Sequence, residues 1–172
     1  MIFKTFAFLL FVFGMACADW DTAAKEAFQQ QMLTEHNLVR QKTESGMSNL
    51  VWSETLEGYA QEWADNCVFK HRNGTDLRSK KSGENIFAAW RYNMATIGRT
   101  AAKAWASEKS RYFHETNKCL PKGKACGHYT AMVWATTKEV GCAFTYCESN
   151  KGMQIVVCNY SPPGNFRGRK PY

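Results

Sequence analysis

Cysteine placement constrains this chain more than any other feature. Six of its 7 cysteines lie beyond residue 60, at Cys67, Cys119, Cys126, Cys142, Cys147 and Cys158. The seventh, Cys17, stands in MIFKTFAFLLFVFGMACA, where Lys4 is the only charge and the apolar run is short. Ala16-Cys17-Ala18 supplies the small residues of a leader cleavage site, so 1–18 is expected to be a signal peptide and the mature chain to start at Asp19. The expected destination is extracellular. In that oxidising setting an even cysteine set reads as disulfides rather than as a metal cage, because thiols do not stay reduced.

The remaining residues, 19–172, suit one domain with an ordinary core and a short basic tail from about residue 164. There is no internal repeat or linker, and no second apolar stretch long enough to span a bilayer. The formal net charge is +7, with basic residues gathered in KHRNGTDLRSKK (70–81) and RGRK (167–170). No nucleic-acid module accompanies them, so they read as a solvated loop and tail, with weak attraction to anionic surfaces as the sharper reading. Asn73-Gly74-Thr75 is a glycosylation acceptor in a polar stretch, which agrees with secretion.

Three helical stripes are predicted. The first runs Phe28, Met32, His36, Val39; the second Leu56, Tyr59, Ala60, Trp63, Ala64, Cys67, with Ser53 as its N-cap; the third Ile97, Ala101, Ala104, Trp105, Glu108, Tyr112. CGHYTAMVW (126–134) reads as a strand entering the core with His128 at its mouth, and Trp52, Trp63, Trp105 and Trp134 read as core. VGCAFTYC (140–147) and GMQIVVCNY (152–160) read as an antiparallel hairpin. Centring its turn near Asn150 sets Cys142 opposite Cys158, as a cross-strand disulfide needs. Cys119 and Cys126 are close enough to staple the loop between them, and Cys67 and Cys147 then remain, although six cysteines leave many connectivities open. Helices with a sheet point to an α+β domain layered α-β-α.

Four titratable residues stand out: His71, four positions after Cys67; Glu84, in GEN; Glu108, a carboxylate on an apolar helical stripe; and His128, two positions after Cys126. Two imidazoles with carboxylates suit Zn²⁺, a His–Glu pair suits acid–base work, and all four could equally satisfy one another in a polar cavity. Spacing alone leaves these three uses open.

The chain resembles the CAP superfamily of cysteine-rich secretory, antigen-five-like and plant pathogenesis-related class 1 proteins. GHYTAMVWATT (127–137) and IVVCNYSPPGNF (155–166) match its two signatures, while HNLVR (36–40) and GENI (83–86) match its smaller motifs, in family order over essentially the whole mature chain. The resemblance implies an α-β-α sandwich, the same three disulfide pairs, and a cleft lined by His71, Glu84, Glu108 and His128, where some relatives bind Zn²⁺ or another divalent ion. Asn85 and Tyr129 read as supports of that cleft, His36 as structural and His114 as a loop residue. The sequence stops after GNFRGRKPY, so the channel blockade tied to a further cysteine-rich domain is not expected.

Non-enzymatic binding of a sterol, a fatty acid or an extracellular protein is the leading functional expectation. Phe87, Trp90 and Tyr92, next to the cleft in sequence, are expected to line an apolar cavity. A metal-assisted His/Glu hydrolase and a defence or venom effector acting on a receptor are the alternatives.

Overall fold

Apolar side chains at helical spacing bury Phe28, Met32 and His36 on one side of helix α1 (Cys17–Gln41). The computed structural model describes residues 17–43 and 46–172. The expected signal peptide lies outside the described residues except for its last two positions, with which α1 begins.

Strand β1 (Val51–Trp52) leads into α2 (Glu54–Ala64), which buries Leu56, Ala60 and Ala64. Ser53 occupies the N-cap of α2 through its backbone alone: its carbonyl accepts the Glu57 N–H at 2.9 Å, and its hydroxyl makes no capping bond. Cys67, expected on the same helical face, lies past the helix end at a positive φ of 56°. Next come α3 (Gly74–Ser79), β2 (Gly83–Trp90) and α4 (Ile97–Ser107). A two-stranded ribbon of β3 (Tyr112–Phe113) and β4 (Lys118–Cys119) follows, then α5 (Gly127–Met132), β5 (Glu139–Cys147) and β6 (Met153–Ser161).

The main sheet has the order β1-β5-β6-β2, with β1 parallel to β5 and the other pairs antiparallel. Helix α2 packs on one face, against β5 and β6, while α1, α4 and α5 cover the other. Strand β6 is therefore buried on both faces from Met153 to Tyr160, which its apolar run requires. Two cores result, one holding Met32, Ile97, Trp105 and Val156 and the other Ala60, Ile86, Ile155 and Val157. The domain is an α-β-α sandwich.

Disulfides join Cys67 to Cys147, Cys119 to Cys126 and Cys142 to Cys158; the last two are cross-strand partners in the β5–β6 register. Trp105 and Trp134 are buried, but Trp52 and Trp63 are only half-buried, because each turns its indole N–H toward a surface acceptor: Glu57 and the Lys70 carbonyl.

The basic side chains of the tail are solvated as expected, but the tail is not free. The side chains of Arg167, Arg169 and Lys170 are exposed, but the backbone is strapped down. Ala135 N–H bonds the Pro171 carbonyl at 2.7 Å, Asn117 holds the Arg169 carbonyl, and the Tyr172 ring stacks 4.6 Å from His114. His114, in the turn between β3 and β4 as expected, thus also clamps the tail.

Candidate functional site

The segment GHYTAM forms a short helix, α5, and not the strand its β-rich residues suggest. Thr130 N–H reaches the Cys126 carbonyl at 3.1 Å and Val133 N–H reaches Tyr129 at 3.2 Å. The reason is tertiary. A helix leaves its first N–H groups without internal partners, and here Glu108 Oε2 accepts those of His128, at 2.9 Å, and Tyr129, at 3.3 Å. Glu108 itself sits where α4 passes into a 3-10 turn, which swings the carboxylate from the apolar stripe toward α5.

The other Glu108 oxygen, Oε1, takes a hydrogen bond from His128 Nδ1 at 2.8 Å. Burial pushes the Glu108 carboxyl up, but the His128 ring and the two backbone N–H groups outweigh it and hold the carboxyl below its ordinary value. Across the cleft His71 Nδ1 donates to Glu84 Oε1 at 2.9 Å, and the same oxygen accepts the Arg72 N–H at 3.0 Å. Both glutamates are almost fully covered, whereas the His71 side chain is 54% exposed and that of His128 27%. A carboxylate only accepts, so Nδ1 of each neutral ring carries the proton and Nε2 presents its lone pair.

The imidazole ring centroids lie 6.4 Å apart with planes 28° from parallel, and the Trp105 ring lies 6.0 Å from His128 and 20° from parallel to it. Among the described residues no group of three or more His, Cys, Asp or Glu is gathered closely enough to form a ready metal cage. The two glutamates stand behind the rings as orienting groups.

A buried chain of hydrogen bonds fixes the cleft from within. Asn85 Nδ2 donates to the His128 carbonyl at 3.0 Å and to the Tyr160 hydroxyl at 2.9 Å. Tyr160 in turn meets His36 Nε2 at 2.9 Å, and His36 Nδ1 donates to the Met32 carbonyl at 2.7 Å. Tyr160 was not singled out from sequence; a buried histidine's need for a partner on each nitrogen was the available signal.

Phe87, Trp90 and Tyr92 do not gather beside the cleft. Phe87 packs partly buried against the core, while Trp90 and Tyr92 are 52% and 49% exposed. Glu84 lies near one end of β2 and Trp90 at the other, about 20 Å away at the strand rise. The Tyr92 backbone is held by Gln154, which bonds both its N–H and its carbonyl.

The family model described as "Cysteine-rich secretory protein family" (CAP) matches residues 33–160. The chain belongs to the CAP family. Pathogenesis-related protein PR-1 of Medicago truncatula is 35% identical, with all of each chain covered. Peptidase inhibitor 16 of Homo sapiens is 37% identical over 82% of this chain, which spans only 31% of that protein's length. The crystal structure of NaASP2 with Zn²⁺ superposes with a TM-score of 0.70 at 31% identity, covering 86% of this CAP domain and 85% of that chain.

Proposed function

We propose that this CAP protein is secreted and acts by binding rather than by turnover, with its cleft taking a divalent cation such as Zn²⁺ through His71 and His128. The observation that carries the reading is the pairing of each imidazole Nδ1 with a buried carboxylate, Glu84 or Glu108. That arrangement is how proteins orient a histidine so that Nε2 serves as a metal ligand. The residues fit in kind: neutral imidazoles are ligands Zn²⁺ takes, and the two rings lie in one cleft with centroids 6.4 Å apart. Glu84 Oε2, buried without a partner, leaves an acceptor for a water in the ion's shell. A bound Zn²⁺ would supply positive charge and a polarised ligand position beside the two imidazoles. The three disulfides support an extracellular setting. So does the solved NaASP2 relative with Zn²⁺ for the cation.

The ligand class stays the one the family resemblance implies, a small lipid or an extracellular protein. Exposed Trp90 and Tyr92 support an apolar contact on the surface and not in a cavity. The pathogenesis-related relatives favour a defence setting as the second reading.

Calorimetric titration of the secreted protein with ZnCl₂ tests the cleft. The expected result is one saturable site, lost in His71→Ala and in His128→Ala, with Glu108→Gln weaker by about 10- to 100-fold. Binding unchanged in both histidine variants overturns the site. Metal-dependent peptide hydrolysis that disappears in His128→Ala overturns the non-enzymatic part.

A further inference from the structure

A groove of about 490 Å³ opens between α3 and the chain that follows β6. Leu77, Pro163 and Phe166 make its walls apolar. Trp134 packs edge-on against the Phe166 ring at 5.9 Å, yet Phe166 stays 48% exposed, so the ring is held in place with much of its surface uncovered.

The charges here are one-sided. Arg78 and Lys81 both line the groove, and neither forms an ion pair with a described carboxylate, although Arg78 Nη2 donates to the Thr75 hydroxyl at 3.2 Å. The acidic side chains of this corner are already engaged elsewhere: Arg72 takes Asp76 and Glu62, and Lys80 takes Glu62. Lys81 is also held at a positive φ of 49°. Ser82 completes the lining. It is 5% exposed, and its hydroxyl is buried without a hydrogen-bond partner. A buried hydroxyl in that condition is costly unless something that enters the groove satisfies it.

Apolar walls, two cations outside any ion pair with a described carboxylate and one hydroxyl without a partner select a particular chemistry. We propose that the groove is a binding site for a small aromatic acid. Its ring system lies between Leu77 and Phe166, and its carboxylate meets Arg78 and Lys81. The buried Ser82 hydroxyl reaches the same carboxylate by turning about its Cα–Cβ bond. The volume falls in the range of small-ligand sites, and a charge-assisted bond to a guanidinium rewards the anion over a neutral twin. The lining of the groove shares no residue with the imidazole cleft, and the proposal does not depend on a cation there.

The test uses 2-naphthoate as probe and 2-naphthalenemethanol as its neutral twin, titrated calorimetrically into the intact secreted protein. The wild type is expected to bind the acid saturably and about 10-fold or more tighter than the alcohol. Arg78→Ala/Lys81→Ala should erase that preference, and Leu77→Ala should weaken both probes. His71→Ala/His128→Ala, whose folding is checked by circular dichroism, should leave both affinities unchanged. The proposal is overturned by any of three results: no saturable binding by folded wild type, equal affinity for the two probes, or a preference that survives the double substitution on the groove.

Discussion

His36 shows how much one buried side chain carries. Its Nδ1 donates to the Met32 carbonyl, so Nε2 must accept from Tyr160, and a proton on both nitrogens would break the chain that ends at the His128 carbonyl. Burial lowers its pKa to about 4 from 6.5, the Met32 carbonyl pulls the other way, and Arg40 adds to the lowering. The unfolded chain therefore takes up a proton below pH 6.5 that the folded protein refuses down to about pH 4. Stability from this group is complete above pH 6.5 and falls as the pH drops through that window, by about 3 kcal/mol in all. Denaturant unfolding at intervals from pH 7 to 4 should show wild type losing stability more steeply than His36→Gln, by about one proton's worth of slope. Parallel curves would remove His36 from the account. A buried position for His36 was legible from its place in a helical stripe. Its two partners were not, because Tyr160 lies 124 residues away.

Among the elements, α2 and α5 mark the limits of local pattern. The α2 stripe reads cleanly because periodicity is a property of neighbouring residues, and the helix buries the face it advertises. How closely α2 approaches the sheet is set by Gly141 in β5. A Cβ there would lie 2.2 Å from the Glu57 backbone N and 2.4 Å from the Ser53 carbonyl oxygen. Those atoms are backbone and cannot rotate away, so Gly141→Ala should cost about 3 kcal/mol or more, or prevent folding. The measurement is a denaturation midpoint, with Gly58→Ala as a control, since a Cβ at Gly58 meets nothing within 4 Å. For α5 the local signal misleads. Tyr, Thr and Val favour a strand, but the Glu108 carboxylate supplies acceptors for the first turn of a helix.

At the scale of the whole molecule, the disulfides tie distant parts of the chain in unequal loops. Cys67–Cys147 closes a separation of 80 residues and anchors the segment beyond α2 to the end of β5, whereas Cys119–Cys126 closes 7. In the chain-entropy view the longer loop restricts the unfolded ensemble more, giving about 4 kcal/mol against about 2. Cys67→Ala/Cys147→Ala is thus expected to lower unfolding free energy by about twice as much as Cys119→Ala/Cys126→Ala. Equal losses in urea titrations would refute the ranking. Sequence by itself determined the helical stripes except for their C-terminal ends at Cys67, Glu108 and Tyr112, the β5–β6 hairpin and its register, the layered fold class and the four titratable residues worth watching. Each of these rests on spacing within one segment, or on motifs that keep their order along the chain. Only the tertiary structure decided that GHYTAM is helical, that Glu84 and Glu108 stand behind the imidazoles, that Trp90 lies a strand's length from them, and that the tail is strapped at Pro171. Those outcomes depend on which buried donor finds which acceptor once the layers close, and that pairing joins residues with no local pattern in common.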